Sequence, residues 1–362
     1  MFLYKEADHT SPLCCLQNGS FIWYHRGKVI VVRDGILKKS LAVTVSFLER
    51  LLSWSQVISR LMRFGVRAAY GINNNNIVLS ISNILYELNL DTGELSEGYF
   101  FEDGIRPLSF SSVNSIQGFD DGLYFGGYLS NNDKRPVSIY HRTGINKWDV
   151  VYTFPEGTIN HVHNIVADPY RNCLWIYTGD FDEAAAIWKV SDGFHKIERV
   201  LFNNQKYRAC VAFALSEGLL YATDSPYSDN YIYLLDPDTL TLKEIYPIHG
   251  SCIYGCQWKD SFVFSSTVEG DGRNLNKWEF LFSKKRGDGI KDNYVHMYMG
   301  NLKNGFNEIY KEKKDFWPLY TFQFGVFKFP YGVNNTDTLF FQPVATVEND
   351  GKLMGFSYPS NY

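Results

Sequence analysis

The sequence predicts an all-β fold, a β-propeller of seven blades, with six as the alternative if the two terminal units merge. Three observations carry that expectation. The first is a recurring turn phrase, in which an apolar, aromatic-rich strand runs into Asp or Asn (once Thr) followed by Gly or Thr, and a second strand follows. It falls at Asp34-Gly35, Asp91-Thr92, Thr143-Gly144, Asp192-Gly193, Asp236 to Thr239 and Asn304-Gly305. The copies lie roughly 45 to 65 residues apart, a spacing that suits propeller blades better than solenoid repeats. The second is composition: 25 Tyr, 27 Phe and 8 Trp make the chain 17% aromatic against 20% charged, which suits sheets stacked face to face and argues against disorder. The third is a supply of short alternating strands bounded by Gly, Asn and Asp, as in Asn76 to Ser82 and Gly122 to Gly126.

These strands group into small antiparallel sheets. The expected blades are 12–45, 66–102, 106–155, 160–202, 207–248, 249–315 and 317–362, the last completed by the N-terminal strand Phe2-Leu3-Tyr4-Lys5. Borrowing that strand would close the ring and remove exposed sheet edges. The whole chain, 1–362, is therefore expected to form one domain. One segment departs from the strand pattern. Residues 46–64 carry Phe47, Leu48, Leu51, Leu52, Ile58, Leu61 and Met62 near a 3.6-residue period. Ser46 and Glu49 match a capping box, and Gly65 is a stop. An inserted helix is expected there, its apolar stripe packed on its own domain and Arg50, Arg60 and Arg63 on its polar side. A second insertion, 270–293, is rich in Gly, Lys and Asp and reads as a long loop, either a lid or a mobile hairpin.

Composition bounds the partners. The formal net charge of −4 gives no reason to expect nucleic acid. Six cysteines in 362 residues do not make the dense framework of a small secreted domain, so reduced, buried thiols are expected. Cys252 and Cys256 share a strand face but stand too far apart for a disulfide. No basic-then-apolar leader opens the chain and no apolar run approaches transmembrane length, which together suggest a soluble, cytoplasmic protein. The oligomeric state is not legible.

In a propeller, the innermost strand of every blade starts on one face, and the connection from second to third strand returns to it. Five successive units place Arg67, Arg106, His161, Arg208 and His249 at the inner-strand starts. The matching loops are acidic, with Asp180, Asp182 and Glu183, then Asp224, Glu269 and Glu348. A funnel with a basic floor and an acidic wall suits an anionic or heavily hydroxylated ligand. Arginine grips carboxylate in a bidentate way, and paired carboxyls supply acid and base for glycosidic cleavage. The same residues also serve to tie blade to blade through backbone hydrogen bonds. His161 and His163, two apart on a strand, face the same way and offer a site for a divalent metal that His249, His296 and Gln257 would complete. No cofactor is otherwise expected. The chain has no P-loop, dinucleotide fingerprint, G-x-S-x-G or H-E-x-x-H.

Val190-Ser191-Asp192-Gly193-Phe194 resembles the Asp-box turn of sialidase-like propellers, and Lys303 to Ile309 resembles a decayed copy. Ile105-Arg106-Pro107 is similar in composition, though not in order, to the Arg-Ile-Pro element of sialidases. The resemblance implies an arginine cluster on a sugar carboxylate, a tyrosine nucleophile assisted by a glutamate, and an aspartate acid/base. By position, Arg67, Arg106 and Arg208 would take the first role, Tyr254 with Glu269 the second, and Asp180 or Asp182 the third. The box departs from the pattern at Val190 and Ile197, where the family has Ser and Trp, and His161 and His163 have no counterpart in it.

The leading expectation is a carbohydrate-active enzyme, a glycoside hydrolase acting on an acidic or polar oligosaccharide or polysaccharide. Its catalytic set is Asp180, Asp182, Glu269, Tyr254 and His161, and its substrate-binding set Arg67, Arg106, His163, Arg208 and His249. A metal-assisted polysaccharide lyase is the alternative within the enzyme class. A non-catalytic propeller that binds glycan or protein is the alternative outside it.

Overall fold

Each recurring turn is the hairpin that joins the third strand of a blade to the fourth, in all of the first six blades. Left-handed backbone is what the turn demands. In the fourth blade Asp192, Gly193 and Phe194 have φ of 52°, 60° and 70°, a region that Gly and Asp tolerate far better than branched residues. A Cβ on Gly193 would stand 2.5 Å from the carbonyl oxygen of Gly118, so the turn also needs glycine for close approach to the neighbouring blade.

The computed structural model describes residues 1–43, 47–180, 182–273 and 275–357, without the side chains of Phe47, Leu48 and Asp182. Seven sheets follow one another along these residues, antiparallel except where Gln257 and Trp258 pair in parallel with Val333 and Asn334, with inner strands Thr10–Cys15, Val66–Gly71, Arg106–Pro107 with Ser111–Val113, His161–Asp168, Val211–Leu215, Cys252–Trp258 and Val326–Lys328. The N-terminal strand Phe2–Ala7 is the outermost strand of the seventh sheet, in register Phe2 to Ser357 and Tyr4 to Gly355. The ring is thus closed by hydrogen bonds between the two ends of the chain.

Strand alternation sends apolar side chains into the seams between blades. Phe154, Val162, Leu174, Ile176 and Trp188 fill one seam, and Trp175, Tyr177, Tyr221 and Tyr233 the next. Each such ring or branched chain contributes about 1.5–3 kcal/mol on full burial. All six cysteines are free, and only Cys15 is not fully buried.

Both insertions differ from expectation. Residues 47–62 form two short helices, α1 (Phe47–Leu52) and α2 (Gln56–Met62), rather than one. Serine chemistry breaks them: the Ser53 hydroxyl donates to the Arg50 carbonyl, and the Ser55 hydroxyl caps α2 by accepting from the Ile58 amide. Arg63 ends α2 in the left-handed region, two residues before Gly65. Ser46 of the expected capping box lies outside the described residues. Arg60, expected on the polar side, is buried and pairs with Asp315 and Asp350, whereas Leu51, Leu61 and Met62 of the apolar stripe are exposed. The second insertion is not only loop, since it contains α3 (Lys277–Phe282), started by a capping box of Asn276 and Glu279.

Candidate functional site

The inner-strand starts and the second-to-third loops do meet on one face, but in two neighbouring groups rather than one funnel. The first is a basic mouth on the side of blades 2, 3, 6 and 7. A cavity of about 220 Å³ is lined there by Arg63, Arg67, Arg106, Lys328, Tyr128 and Tyr254 together with apolar side chains. Among the described residues its lining contains four cations and no carboxylate. Arg67 begins the inner strand of blade 2, Arg106 that of blade 3, and Lys328 ends that of blade 7. Tyr128 is the cross-strand partner of Arg106, whose guanidinium stacks over the ring at 4.9 Å. Lys328 lies 5.9 Å from the Tyr254 ring.

The crowding has an electrostatic signature. Burial, then the neighbouring Arg106 and Arg63, lowers the pKa of Arg67. Among the described residues its buried Nε has no hydrogen-bond partner. Among the described residues, no ion pair neutralises Arg67, Arg106 or Lys328.

The second group lies behind Tyr128, whose ring is 4.3 Å from that of His161. There His161, His163, Asp180 and Arg208 converge. The Nε2 atoms of the two histidines are 3.0 Å apart and stand 3.3 and 3.4 Å from Asp180 Oδ1, with Arg208 Nη2 at 3.1 Å from the same oxygen. Gly179 makes room for this, since a Cβ there would stand 2.3 Å from the His163 ring. His161 Nδ1 is 3.0 Å from the Leu129 carbonyl, which only accepts, so that nitrogen carries a proton. Burial, opposed only in part by Asp180, lowers the pKa of His163 and keeps its ring neutral. Burial alone would raise Asp180, but Arg208 and the two histidines outweigh it and hold the carboxyl well below the usual range.

Arg208 is shared. Its Nε lies 3.4 Å from Asp224, which also accepts from the Cys210 thiol at 3.2 Å. Glu269 completes the group, accepting from the Ser251 hydroxyl at 2.7 Å. Burial and the nearby Asp224 push its pKa up to about 8, against the pull of Arg208 and Ser251. Two carboxyls in one neighbourhood are thus driven apart, Asp180 toward the ionised form and Glu269 toward the protonated one.

Four expectations are corrected by this geometry. Glu269 is bonded to Ser251 and, among the described residues, makes no hydrogen bond to Tyr254, so the expected tyrosine–glutamate pair is not formed. Tyr254 belongs to the basic mouth, on a different group from Glu269. His249 joins neither group: its Nδ1 pairs with Asp292, and its ring lies tilted at 58° to that of His296, with centroids 4.4 Å apart. Gln257, on the inner strand of blade 6, lines a lower part of the channel and its amide bonds the Lys259 carbonyl, so His249, His296 and Gln257 do not complete a site with His161 and His163. The Asp182 side chain lies outside the described residues. Donor atoms of His161, His163 and Asp180 do lie within 4.8 Å of one another, yet a cation there would meet the Arg208 guanidinium on the same carboxylate oxygen.

Lys328 and Tyr128 were not singled out by sequence, and Arg63 only as part of the polar side of the inserted helix. Lys328 ends the short seventh inner strand rather than starting it, so the rule of inner-strand starts passes over it. Arg63 was masked by the helix, and Tyr128 is visible only through its pairing with Arg106.

No protein family matches the sequence, and no curated protein matches it. Solved structures match the fold over nearly the whole chain. The β-propeller domain of Myceliophteria thermophila Cps50 (Swd1) is 9% identical with a TM-score of 0.56, covering 99% of this chain and 98% of that one. A chain of a mitotic checkpoint complex is 8% identical with a TM-score of 0.55, covering 99% and 93%. The extracellular domain of a putative one-component system from B. thetaiotaomicron is 11% identical with a TM-score of 0.55, covering 99% of this chain and 40% of that one. At such identities the likeness defines a β-propeller and nothing finer. No helix is long and apolar enough to cross a membrane among the described residues.

Proposed function

We propose that the chain binds a small, hydroxylated anion in the basic mouth, an acidic sugar residue of an oligosaccharide or polysaccharide being the ligand that suits it. One observation carries the reading: Arg63, Arg67, Arg106 and Lys328 line a single cavity without a carboxylate among its lining residues. Clustering like charges is unfavourable unless an anion relieves it, and guanidinium groups bind carboxylate or sulfate through paired, charge-assisted hydrogen bonds. Tyr128 and Tyr254 add flat faces against which a sugar ring can rest. The kinship with Asp-box propellers belongs to the same proposal. In its support, the box-like turns at Asp192 and Asn304 both join third to fourth strands, far in the chain from the inner-strand starts that carry the site.

A second reading, cleavage of the bound glycan, is favoured by the divergence of Asp180 and Glu269. Pairs of carboxyls whose environments push their pKa values apart supply an acid and a charged partner at one pH. Here Glu269 would hold the proton and Asp180 the negative charge.

Calorimetric titration with uronic acids, sialic acid and sulfated sugars tests the binding reading. Arg67→Ala and Arg106→Ala should each weaken the binding of whichever acidic sugar the wild type takes up by about tenfold or more, since charged hydrogen bonds contribute about 1.5–3 kcal/mol. Unchanged affinity in both variants would overturn it. Turnover on acidic oligosaccharides that Glu269→Gln abolishes while binding persists would support cleavage, whereas binding without any turnover in the wild type would exclude it.

A further inference from the structure

We propose that His249, Asp292 and His296 form a site for one divalent transition-metal ion, with Zn²⁺ the ion their donors suit, at the junction of blades 5 and 6. The site is separate from both groups described above. Three donor atoms of different residues face one another there: His249 Nδ1 lies 2.9 Å and His296 Nε2 3.1 Å from the same oxygen, Asp292 Oδ2. All three residues offer ligand atoms within 4.8 Å of one another. Ligands of a tetrahedral zinc ion, bound at about 2.0–2.1 Å, stand about 3.3 Å from each other. The observed separations of 2.9 and 3.1 Å are a few tenths of an ångström short of that spacing, and the half-exposed His249 ring, 47% exposed, is the ligand with room to adjust.

The outer shell points the same way. His296 Nδ1 is 2.6 Å from Glu308 Oε2, on the adjacent fourth strand of blade 6. A carboxylate on the far nitrogen of a ligating imidazole fixes its tautomer and raises its basicity, the usual support for a metal-bound histidine. With no ion, both nitrogens of this fully buried ring face carboxylate oxygens, and only a doubly protonated ring can donate to both. An ion that takes Nε2 satisfies Asp292 and His296 together and leaves Nδ1–H for Glu308. Two imidazoles and one carboxylate, leaving a fourth position for water, suit Zn²⁺ and its first-row neighbours rather than Mg²⁺ or Ca²⁺, which want oxygen ligands. Partial exposure of His249 and Asp292 gives the ion a path in.

The ion would act as a clip. Asp292 lies at the end of the 270–293 insertion, and His249 lies just before the inner strand Cys252–Trp258. The Lys291 amide already donates to the His249 carbonyl at 2.8 Å. Metal would fasten the root of the insertion, and α3 with it, to the propeller face.

Titration of the chelator-treated, dialysed full chain with Co²⁺, read by visible absorption and followed by Zn²⁺ competition, tests the proposal. One equivalent of Co²⁺ should give tetrahedral d–d absorption that Zn²⁺ removes. His249→Ala, at a half-exposed position, should weaken binding at least 100-fold, and Glu308→Gln by about 10- to 100-fold. His161→Ala should leave it intact. Absence of stoichiometric binding in the wild type, binding that survives His249→Ala, or binding that is lost in His161→Ala would overturn it.

Discussion

Arg208 is buried between two carboxylates, with Nη2 3.1 Å from Asp180 and Nε 3.4 Å from Asp224. Burial would strip its proton, but Asp224, Asp180 and Glu269 raise its pKa and hold the charge. Removing it leaves buried negative charge uncompensated, so Arg208→Met should destabilise the protein by about 3–5 kcal/mol in urea unfolding. A loss under 1 kcal/mol would mean that the carboxylates relax into solvent. Glu269 makes a prediction with the opposite pH sense from most acids. Its folded pKa of about 8 lies above its unfolded value, so the folded state binds the extra proton between them. Stability is therefore intact below the unfolded pKa and falls as pH rises toward 8, by at most about 1.4 kcal/mol per unit. Glu269→Gln should flatten that fall in thermal unfolding measured from pH 5 to 8. An equal slope in the variant would contradict it. Sequence identified most of these side chains, because inner-strand starts converge in any propeller. Their pairing was not legible: whether Glu269 meets Tyr254 or Ser251 depends on side-chain reach and burial, which spacing does not encode.

At the scale of elements, α2 is fastened through a charge rather than through its apolar stripe. Arg60 donates to Asp315, to Asp350 at 2.8 Å and to the Phe322 carbonyl, linking the 47–62 insertion to loops of blades 6 and 7. Arg60→Ala should cost about 3 kcal/mol, since two carboxylates lose a buried partner, and should make the 47–65 segment the first site of limited proteolysis. Cleavage elsewhere at the wild-type rate would argue that the helices are held by other contacts. The 3.6-residue period was readable here and misled about the buried face, because a period reports which residues share a side and not which side finds a partner. Two serines, Ser53 and Ser55, carried the break between α1 and α2. Their propensity to compete with helical hydrogen bonds is a local signal that a single long stripe overrode. In the second insertion the capping box of Asn276 and Glu279 that starts α3 was a local signal hidden by the Gly- and Lys-rich composition around it.

Across the whole molecule, blade number, strand grouping and ring closure were legible because a propeller repeats its chemistry. Each third-to-fourth hairpin needs left-handed residues, and each seam needs aromatic and branched side chains, so the same signals return every 45 to 65 residues or so. Pairing of Phe2–Ala7 with Leu353–Ser357 follows from the same logic, since an open ring would leave an unpaired edge. What repetition does not specify is how unlike residues divide one face. Blades 2, 3 and 7, with Arg63 from the inserted helices, contribute bare cations, while blades 4 to 6 contribute cations already matched by carboxylates. The central claim is that the unmatched group is an anion site. A crystal structure determined with a saturating acidic sugar, such as glucuronate, tests it most directly. The sugar carboxylate should lie within about 2.7–2.9 Å of guanidinium nitrogens of Arg67 and Arg106, with its ring against Tyr128 or Tyr254. Sugar seated elsewhere on the protein, or only water between those arginines at saturation, would contradict it.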